Sequence, residues 1–140
     1  MTSTPRPQVV VDTNVWISGL VFGGNPEKII RLFIEGRIIV VSAEELLSEL
    51  RRKITQRFPL FVPNLNLLEA SIREVALIVQ LGTTQVKVSR DLDDNVFLET
   101  ALTGQVKYIV SGDKDLTDIG SFHGITILNP TEFLKDLGFD

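Results

Sequence analysis

The sequence predicts a three-layer α/β/α fold with a central parallel β-sheet of four or five strands. Short runs of β-branched, apolar residues alternate with segments whose apolar residues recur at helical spacing. Several of these runs end directly at an acidic or hydroxyl side chain, as is typical of the carboxyl edge of a parallel sheet. Strands that alternate with helices imply right-handed crossovers, which place helices on both faces of the sheet.

The composition predicts one domain and limits its chemistry. Of 140 residues, 44% are apolar, and we expect a flexible tail at residues 1–8 and a single domain at residues 9–140. The absence of cysteine excludes disulfides, thiolate metal sites and a cysteine nucleophile. His123 is the only histidine, so paired imidazoles are excluded, and we expect it to be a surface residue. No apolar run reaches the roughly 20 residues of a membrane span, so we expect a cytoplasmic protein without membrane contact.

The first half of the chain is predicted to contain two strands and three helices. Runs of β-branched residues predict the strands, and apolar residues at helical spacing predict the helices. Pro26 and Gly36 are suited to begin and end the second helix. In order, the elements are a strand at 9–11, helices at 15–20 and 26–35, a strand at 38–41, and a helix that begins at a Ser42-Ala43-Glu44-Glu45 capping box.

The second half is predicted to continue the alternation. Gly82 is suited to end a long amphipathic helix, and Pro130 to begin the last one. Between them, apolar residues in helical register follow a run of aspartates. In order, the elements are a helix at 67–81, a short strand at 86–88, a helix whose first turn contains Asp94, strands at 108–110 and 125–128, and a helix at 130–137.

Four carboxylates are predicted to meet at the carboxyl edge of the sheet. Asp12 and Asp113 each come at the end of a buried strand. Glu49 lies at the border of the apolar face of its helix, and Asp94 shares the inward face of the first turn of its own. Two alternatives stay open: Asp12 only caps the following helix, and another acid beside Asp94 is a helix cap rather than part of a site.

Clustered carboxylates have raised pKa values unless a cation neutralises them. An all-oxygen site without histidine or cysteine suits Mg²⁺ or Mn²⁺ better than Zn²⁺. Such an ion makes bound water easier to deprotonate and stabilises charge on a phosphoryl oxygen. The four acids therefore predict hydrolysis of a phosphodiester bond.

Four motifs resemble, in order, those of the PIN-domain family. They are VVDTNVWIS near the start, SAEELLSELRRKI in the middle, DLDDNVFLETAL, and YIVSGDKDL near the end. Together they extend over nearly the whole chain. The chain is particularly similar to the small VapC-like ribonucleases that are the toxin components of toxin–antitoxin systems.

The resemblance implies a metal-dependent ribonuclease with a four-acid site for Mg²⁺ or Mn²⁺. Matched by motif, the catalytic and metal-binding acids are Asp12, Glu49, Asp94 and Asp113, the four that the predicted topology brings to one edge. Asp91 is a further acid that replaces or assists Asp94 in an alternative assignment. The resemblance also implies a homodimer, an RNA substrate and a cognate antitoxin protein as partners.

The same resemblance assigns supporting roles to three polar residues. Thr13, Asn14 and Ser111 would be polar groups near the metal or the scissile phosphate. An equally weighted alternative is that these three residues cap helices and form turns.

Positive charge is concentrated at the end of the third predicted helix. The net charge of the chain is −4, so any contact with nucleic acid must be local. Arg51, Arg52 and Arg57 are the candidate RNA-binding residues, and Lys53 lies among them. The alternative is a solvated helix terminus whose charge suits the helix dipole.

The predicted function is a single-stranded RNA endonuclease. Metal-activated water would attack phosphorus in line and leave a 5′-phosphate and a 3′-hydroxyl. The main alternative is a PIN-fold interaction module with little or no nuclease activity. A signalling receiver would need an acidic pair after the first strand, and a haloacid-type hydrolase would need an aspartate at position 14. Thr13 and Asn14 follow Asp12 instead.

Overall fold

The computed structural model describes residues 6–82 and 92–139, and for residues 92–94 it describes the backbone only. Within these ranges no helix is both long enough and apolar enough to cross a membrane. The helices are α1 (Thr13–Val21), α2 (Asn25–Ile34), α3 (Glu44–Arg57), α4 (Val62–Val75), α5 (Leu92–Gly104), α6 (Lys114–Thr117) and α7 (Pro130–Asp136). The strands are β1 (Gln8–Val11), β2 (Ile39–Ser42), β3 (Leu77–Ile78), β4 (Tyr108–Val110), β5 (Ser121–Phe122) and β6 (Ile125–Leu128), and a 3₁₀ turn at Pro59–Phe61 precedes α4.

The strands form one mixed, mostly parallel sheet in the order β3-β2-β1-β4-β6-β5. All neighbouring pairs are parallel except β5 with β6. The predicted α/β fold with a central, largely parallel sheet is therefore confirmed. The described residues contain six strands rather than four or five, because the chain adds two-residue strands at both edges, Leu77–Ile78 and Ser121–Phe122.

The sheet is covered by helices on both faces. Along β1, Val9 and Val11 pack with the buried side chains of α1, α2, α4 and α7, whereas Val10 packs on the opposite side with those of α5 and α6. The alternation of side chains along a strand produces this division. Helix α3 contributes to both cores, with Leu50 in one and Leu46 in the other. Strand β1 is consequently an inner strand of the sheet whose side chains are buried on both faces.

The predicted capping box at the start of α3 is wrong. Ser42 continues β2, where it pairs with Ile78, and its carbonyl accepts a hydrogen bond of 2.8 Å from the backbone N–H of Val79. Ser42 is only 4% exposed. Ala43 takes the N-cap position and makes no side-chain capping bond. The edge strand β3 has extended β2 by a residue, which the local sequence around Ser42 does not reveal.

The predicted helix at 67–81 is shifted and shortened in the structure. Helix α4 already begins at Val62 and ends at Val75, because Leu77 and Ile78 leave the helix and join the sheet beside β2. The amphipathic pattern runs on through these residues, so spacing alone did not separate helix from strand. The predicted strand at 86–88 lies outside the described residues.

The amino end of the described chain is held to the body of the protein. Gln8 begins β1, one residue earlier than predicted, and pairs with Ile39. The Pro7 carbonyl accepts a 2.9 Å hydrogen bond from the N–H of Ile39, and Arg6 donates to the Gly36 carbonyl at 3.0 Å. Residues 6–8, which the sequence placed in the tail, therefore already make contacts with the domain.

Candidate active site

Asp12 joins the central strand to the first helix. Its backbone N–H donates to the carbonyl of Val110 at 2.9 Å, which ties the end of β1 to the end of β4. Its side chain is the N-cap of α1, with Oδ1 accepting from the backbone N–H of Asn14 at 3.2 Å. Asp12 is nevertheless only 3% exposed. The capping role and the central buried position, which the sequence offered as alternatives, occur together.

Ser111 connects the two strand ends. Its hydroxyl donates to Oδ2 of Asp12 at 2.6 Å and accepts from the backbone N–H of Asp113 at 2.9 Å. The side chain is fully buried. A short bond from a hydroxyl to a carboxylate is a strong, charge-assisted one. Ser111 therefore fixes one oxygen of Asp12 and the loop that carries Asp113.

Asp113 repeats the arrangement of Asp12 at the end of β4. It is the N-cap of α6, and its Oδ1 accepts from the backbone N–H of Asp115 at 2.8 Å. Asp113 is partly exposed, whereas Asp115 is exposed. The cap of this helix is therefore Asp113, and Asp115 lies in its first turn.

Burial dominates the electrostatics of Asp12. Loss of solvent raises the pKa of the Asp12 carboxyl above its ordinary value, against the hydrogen bonds from Ser111 and Asn14, which lower it. The negative charge of Asp113 raises the pKa of Asp12 further, and the Lys53 ammonium lowers it. Asp12 and Asp113 are thus close enough for their charges to interact, and a cation near Asp12 would favour its ionised form.

Glu49 points to the same side of α3 as Lys53 and forms an ion pair with it. The Lys53 Nζ lies 2.9 Å from Oε1 of Glu49, and the two side chains are only 16% and 14% exposed. Glu49 also lines a surface depression of about 310 Å³ together with Arg52 and, from the first turns of α5, Val96. In the sequence, Lys53 stands out only as part of the basic helix end. The i,i+4 spacing from Glu49 was the signal that could have identified this pair.

The fourth predicted acid lies only partly within the described structure. The backbone of Asp94 belongs to the first turn of α5, as predicted, but its side chain is outside the described residues. Asp91 lies entirely outside them. Val96, two residues further along α5, lines the depression beside Glu49, so the beginning of this helix borders α3 there.

The donor set has the chemistry that a hard divalent cation requires. Asp12 and Asp113 present carboxylate oxygens, and burial of Asp12 favours a compensating positive charge. Among the described side chains, however, no three acids, histidines or cysteines stand close enough together to hold a metal ion. Glu49 is engaged by Lys53 in this arrangement. The described carboxylates fit an oxygen-ligated ion by type, while a complete set would need further ligands.

The three predicted RNA-binding arginines lie in different surroundings. Arg51 is directed to α4, where it donates to Glu69 at 3.2 Å and to Asn66 at 2.9 Å. Arg52 is exposed and lines the depression beside Glu49. Arg57 is exposed at the last residue of α3. The structure therefore brings Arg52 to a predicted site residue, and it brings Arg51 to a helix–helix contact.

The remaining predicted residues have distinct positions. Thr13 is buried at the first residue of α1, whereas Asn14 is exposed and contacts Asp12 through its backbone N–H. His123 is exposed in the turn between β5 and β6, with its ring edge-on to that of Phe122 at 4.5 Å. Its φ of 50° is compatible with that turn. The surface position of His123 matches the prediction.

Comparison with protein families gives a match over most of the chain. A family model described as "PIN domain" matches residues 8–115, which include both strand-end aspartates and all of α3. No match was found among curated proteins.

Proposed function

Because the chain belongs to the PIN-domain family, whose members are generally nucleases, we propose that it is a Mg²⁺- or Mn²⁺-dependent endonuclease of single-stranded RNA. The observation that carries this proposal is the Asp12 carboxylate. It is buried at the carboxyl end of the central strand, bonded to Ser111, and within electrostatic reach of Asp113. A carboxylate kept there without a paired cation destabilises the fold, which is typical of a functional position.

Each acid has a role in this proposal. Asp12 and Asp113 hold the divalent cation, and Glu49 and Asp94 complete its ligands or position water. The bound cation supplies an acidic water and stabilises charge on a phosphoryl oxygen. Ser111 restricts rotation of the Asp12 carboxylate through its 2.6 Å hydrogen bond, so that the free lone pairs keep one direction.

The substrate contacts follow from the surroundings of α3. Arg52 is exposed beside Glu49 and is the best-placed guanidinium for an RNA phosphate, with Arg57 one and a half turns further along the helix as a second contact. Arg51 is engaged by Glu69 and Asn66, so we give it a structural role instead. In-line attack by water would leave a 5′-phosphate and a 3′-hydroxyl.

The decisive experiment compares wild type with Asp12→Asn and Asp118→Asn. Each substitution removes one negative charge, but Asp118 is an exposed residue at the end of α6 and serves as the matched control. End-labelled single-stranded RNA is incubated with each purified protein over a titration of Mn²⁺ and of Mg²⁺, and Mn²⁺ binding is measured in parallel. The proposal expects metal-dependent cleavage by wild type and Asp118→Asn, and its loss in Asp12→Asn.

Other outcomes separate the alternatives. Equal cleavage by Asp12→Asn and wild type would identify a contaminating nuclease and overturn the proposal. Metal binding without cleavage of several RNAs would favour an interaction module that has kept the PIN fold. That alternative has one observation in its favour, since the described side chains include no group of three potential metal ligands.

We also propose that the protein is the cytoplasmic toxin of a toxin–antitoxin pair, that it forms a homodimer, and that an antitoxin protein binds it. Support comes from the motif resemblance and from exposed apolar side chains on the α1 and α3 side of the molecule. Phe22 is 74% exposed and packs edge-on against Phe58, and Leu60 is 88% exposed.

Two experiments test these proposals. Light scattering of the purified chain measures whether it forms a dimer. A small reading frame beside its gene, with a product that abolishes toxicity, would support the antitoxin.

A further inference from the structure

Helix α3 carries two kinds of ion pair on different sides. Towards α4, Arg73 bonds Glu44 at 2.5 Å and Glu69 at 3.3 Å, and Arg51 joins the same Glu69. Most of these side chains are 41% to 58% exposed, so water screens the network. They face another helix and do not include the predicted metal ligands.

The second kind of ion pair is largely shielded from solvent. Lys53 and Glu49 are 2.9 Å apart and only 16% and 14% exposed. Helix α3 packs against α1, the helix that Asp12 caps, and the charge of Lys53 lowers the pKa of the Asp12 carboxyl. A single ammonium therefore contacts one of the proposed metal-binding carboxylates directly, from a helix that packs against the helix capped by another.

We propose that Lys53 is the resident counter-cation of this acidic site and competes with a divalent metal ion for Glu49. The inference rests on the proposed function, because it requires that the carboxylates bind a metal. In the metal-free protein Lys53 neutralises Glu49 and moderates the charge of Asp12. Lys53 is thus a positioning residue that sets the metal affinity of the site.

The competition follows from geometry and charge. While the Glu49 oxygen contacts Lys53, the ammonium partly neutralises it, so its attraction for a metal ion is weaker. A divalent cation near Asp12 also repels the ammonium, so metal binding must move Lys53 away from Glu49 or leave Glu49 out of the metal's ligands. Either way, the free energy of metal binding contains the cost of displacing or repelling this ammonium.

Removing the ammonium therefore has two opposite consequences. Lys53→Met keeps the length of the side chain and its apolar stem but makes the site more negative by one charge. We expect Mn²⁺ to bind Lys53→Met on the order of tenfold more tightly than wild type. Without metal, the same variant leaves a partly buried Glu49 without its cation, so its melting temperature at neutral pH falls below that of wild type.

The test measures Mn²⁺ affinity by calorimetry and metal-free melting temperature for the full chain and three variants. Lys53→Arg keeps the positive charge and is expected to restore affinity and melting temperature towards wild-type values. Lys28→Met is the matched control, because it removes the same type of charge from an exposed position on α2. We expect this control to bind Mn²⁺ as wild type does.

The outcomes distinguish this inference from the proposed function. Unchanged or weaker Mn²⁺ binding by Lys53→Met, with wild-type binding intact, would overturn the role of Lys53 only. Tighter binding by Lys53→Met in a protein that cleaves no RNA would support Lys53 as counter-cation and overturn the nuclease. Absence of Mn²⁺ binding in all four proteins would overturn both.

Discussion

The junctions at Asp12 and Asp113 have the same local design but different surroundings. Each aspartate follows a parallel strand, caps the next helix, and accepts a hydrogen bond from the backbone N–H two residues later. Asp12 is buried and receives a second bond from Ser111, whereas Asp113 is partly exposed and ends a loop that Ser111 holds. The local sequence therefore determines that each aspartate caps a helix. The position of each aspartate in the fold determines how far its carboxylate is buried.

Substitution of each aspartate in turn tests whether the two junctions differ in catalysis, and we expect a large loss of RNA cleavage in both variants. If both aspartates hold the same metal ion, Asp113→Asn should reduce RNA cleavage as severely as Asp12→Asn, by on the order of a thousandfold. The measurement is the initial rate of cleavage at several Mn²⁺ concentrations. A loss confined to Asp12→Asn would show that the junctions differ in function as well as in burial.

Removal of the Ser111 hydroxyl should lower the free energy of unfolding more than loss of the Asp113 cap does. Ser111→Ala leaves Oδ2 of buried Asp12 without its donor, and a buried hydrogen bond to a charged group contributes about 1.5–3 kcal/mol. Urea denaturation of the metal-free protein at pH 7 measures the free energy of unfolding. Ser48→Ala, at an exposed position on α3, is the control, and equal stability of the two variants would contradict the expectation.

The pH dependence of stability should also distinguish the buried aspartate. Burial raises the pKa of Asp12 in the folded state above its unfolded value of about 3.9. Between these two pKa values the folded state holds the proton more tightly, so this group's contribution to stability falls as pH rises through that interval. Asp12→Asn removes this penalty, so its stability relative to wild type should increase as the pH rises above the unfolded-state pKa of about 3.9.

Urea denaturation in EDTA at four pH values measures the free energy of unfolding of wild type and Asp12→Asn. Asp113→Asn in the same buffers is the reference variant at a partly exposed aspartate. A difference between Asp12→Asn and wild type that does not change with pH would contradict the assigned effect of burial.

Loss of the helix cap at the partly exposed Asp113 should have a smaller effect on stability. Asp113→Ala removes the side chain that accepts from the N–H of Asp115, and loss of an N-cap typically costs about 1 kcal/mol. Because α6 has only four residues, the effect should be local, with hydrogen exchange faster in α6 and unchanged in β4. Faster exchange throughout β4 would show that the cap supports the sheet as well.

The strand-to-helix junctions at Asp12 and Asp113 could be predicted from the sequence because local chemistry determines them. A buried strand followed by an aspartate predicted both junctions, and the last helix begins at Pro130 as predicted. The error at Ser42 had a different origin, because its assignment depends on pairing with Ile78, which lies far along the chain. Arg51 was predicted to contact RNA phosphate, and the structure shows in addition that it contacts Glu69 and Asn66 on another helix. Such contacts are tertiary, and one sequence without its fold does not determine them.

The hydrogen bond between Ser111 and Asp12 also bears on the stage of folding at which the candidate site forms. These two residues are separated by 99 positions, and β1 pairs with β4 over a similar interval. Closing so long a loop costs entropy that only the finished sheet repays, which makes the contact a late event in folding. During synthesis the amino-terminal half therefore leaves the ribosome before its partner strand exists. If the proposed activity requires this contact, a nascent chain would stay inactive until β4 has docked.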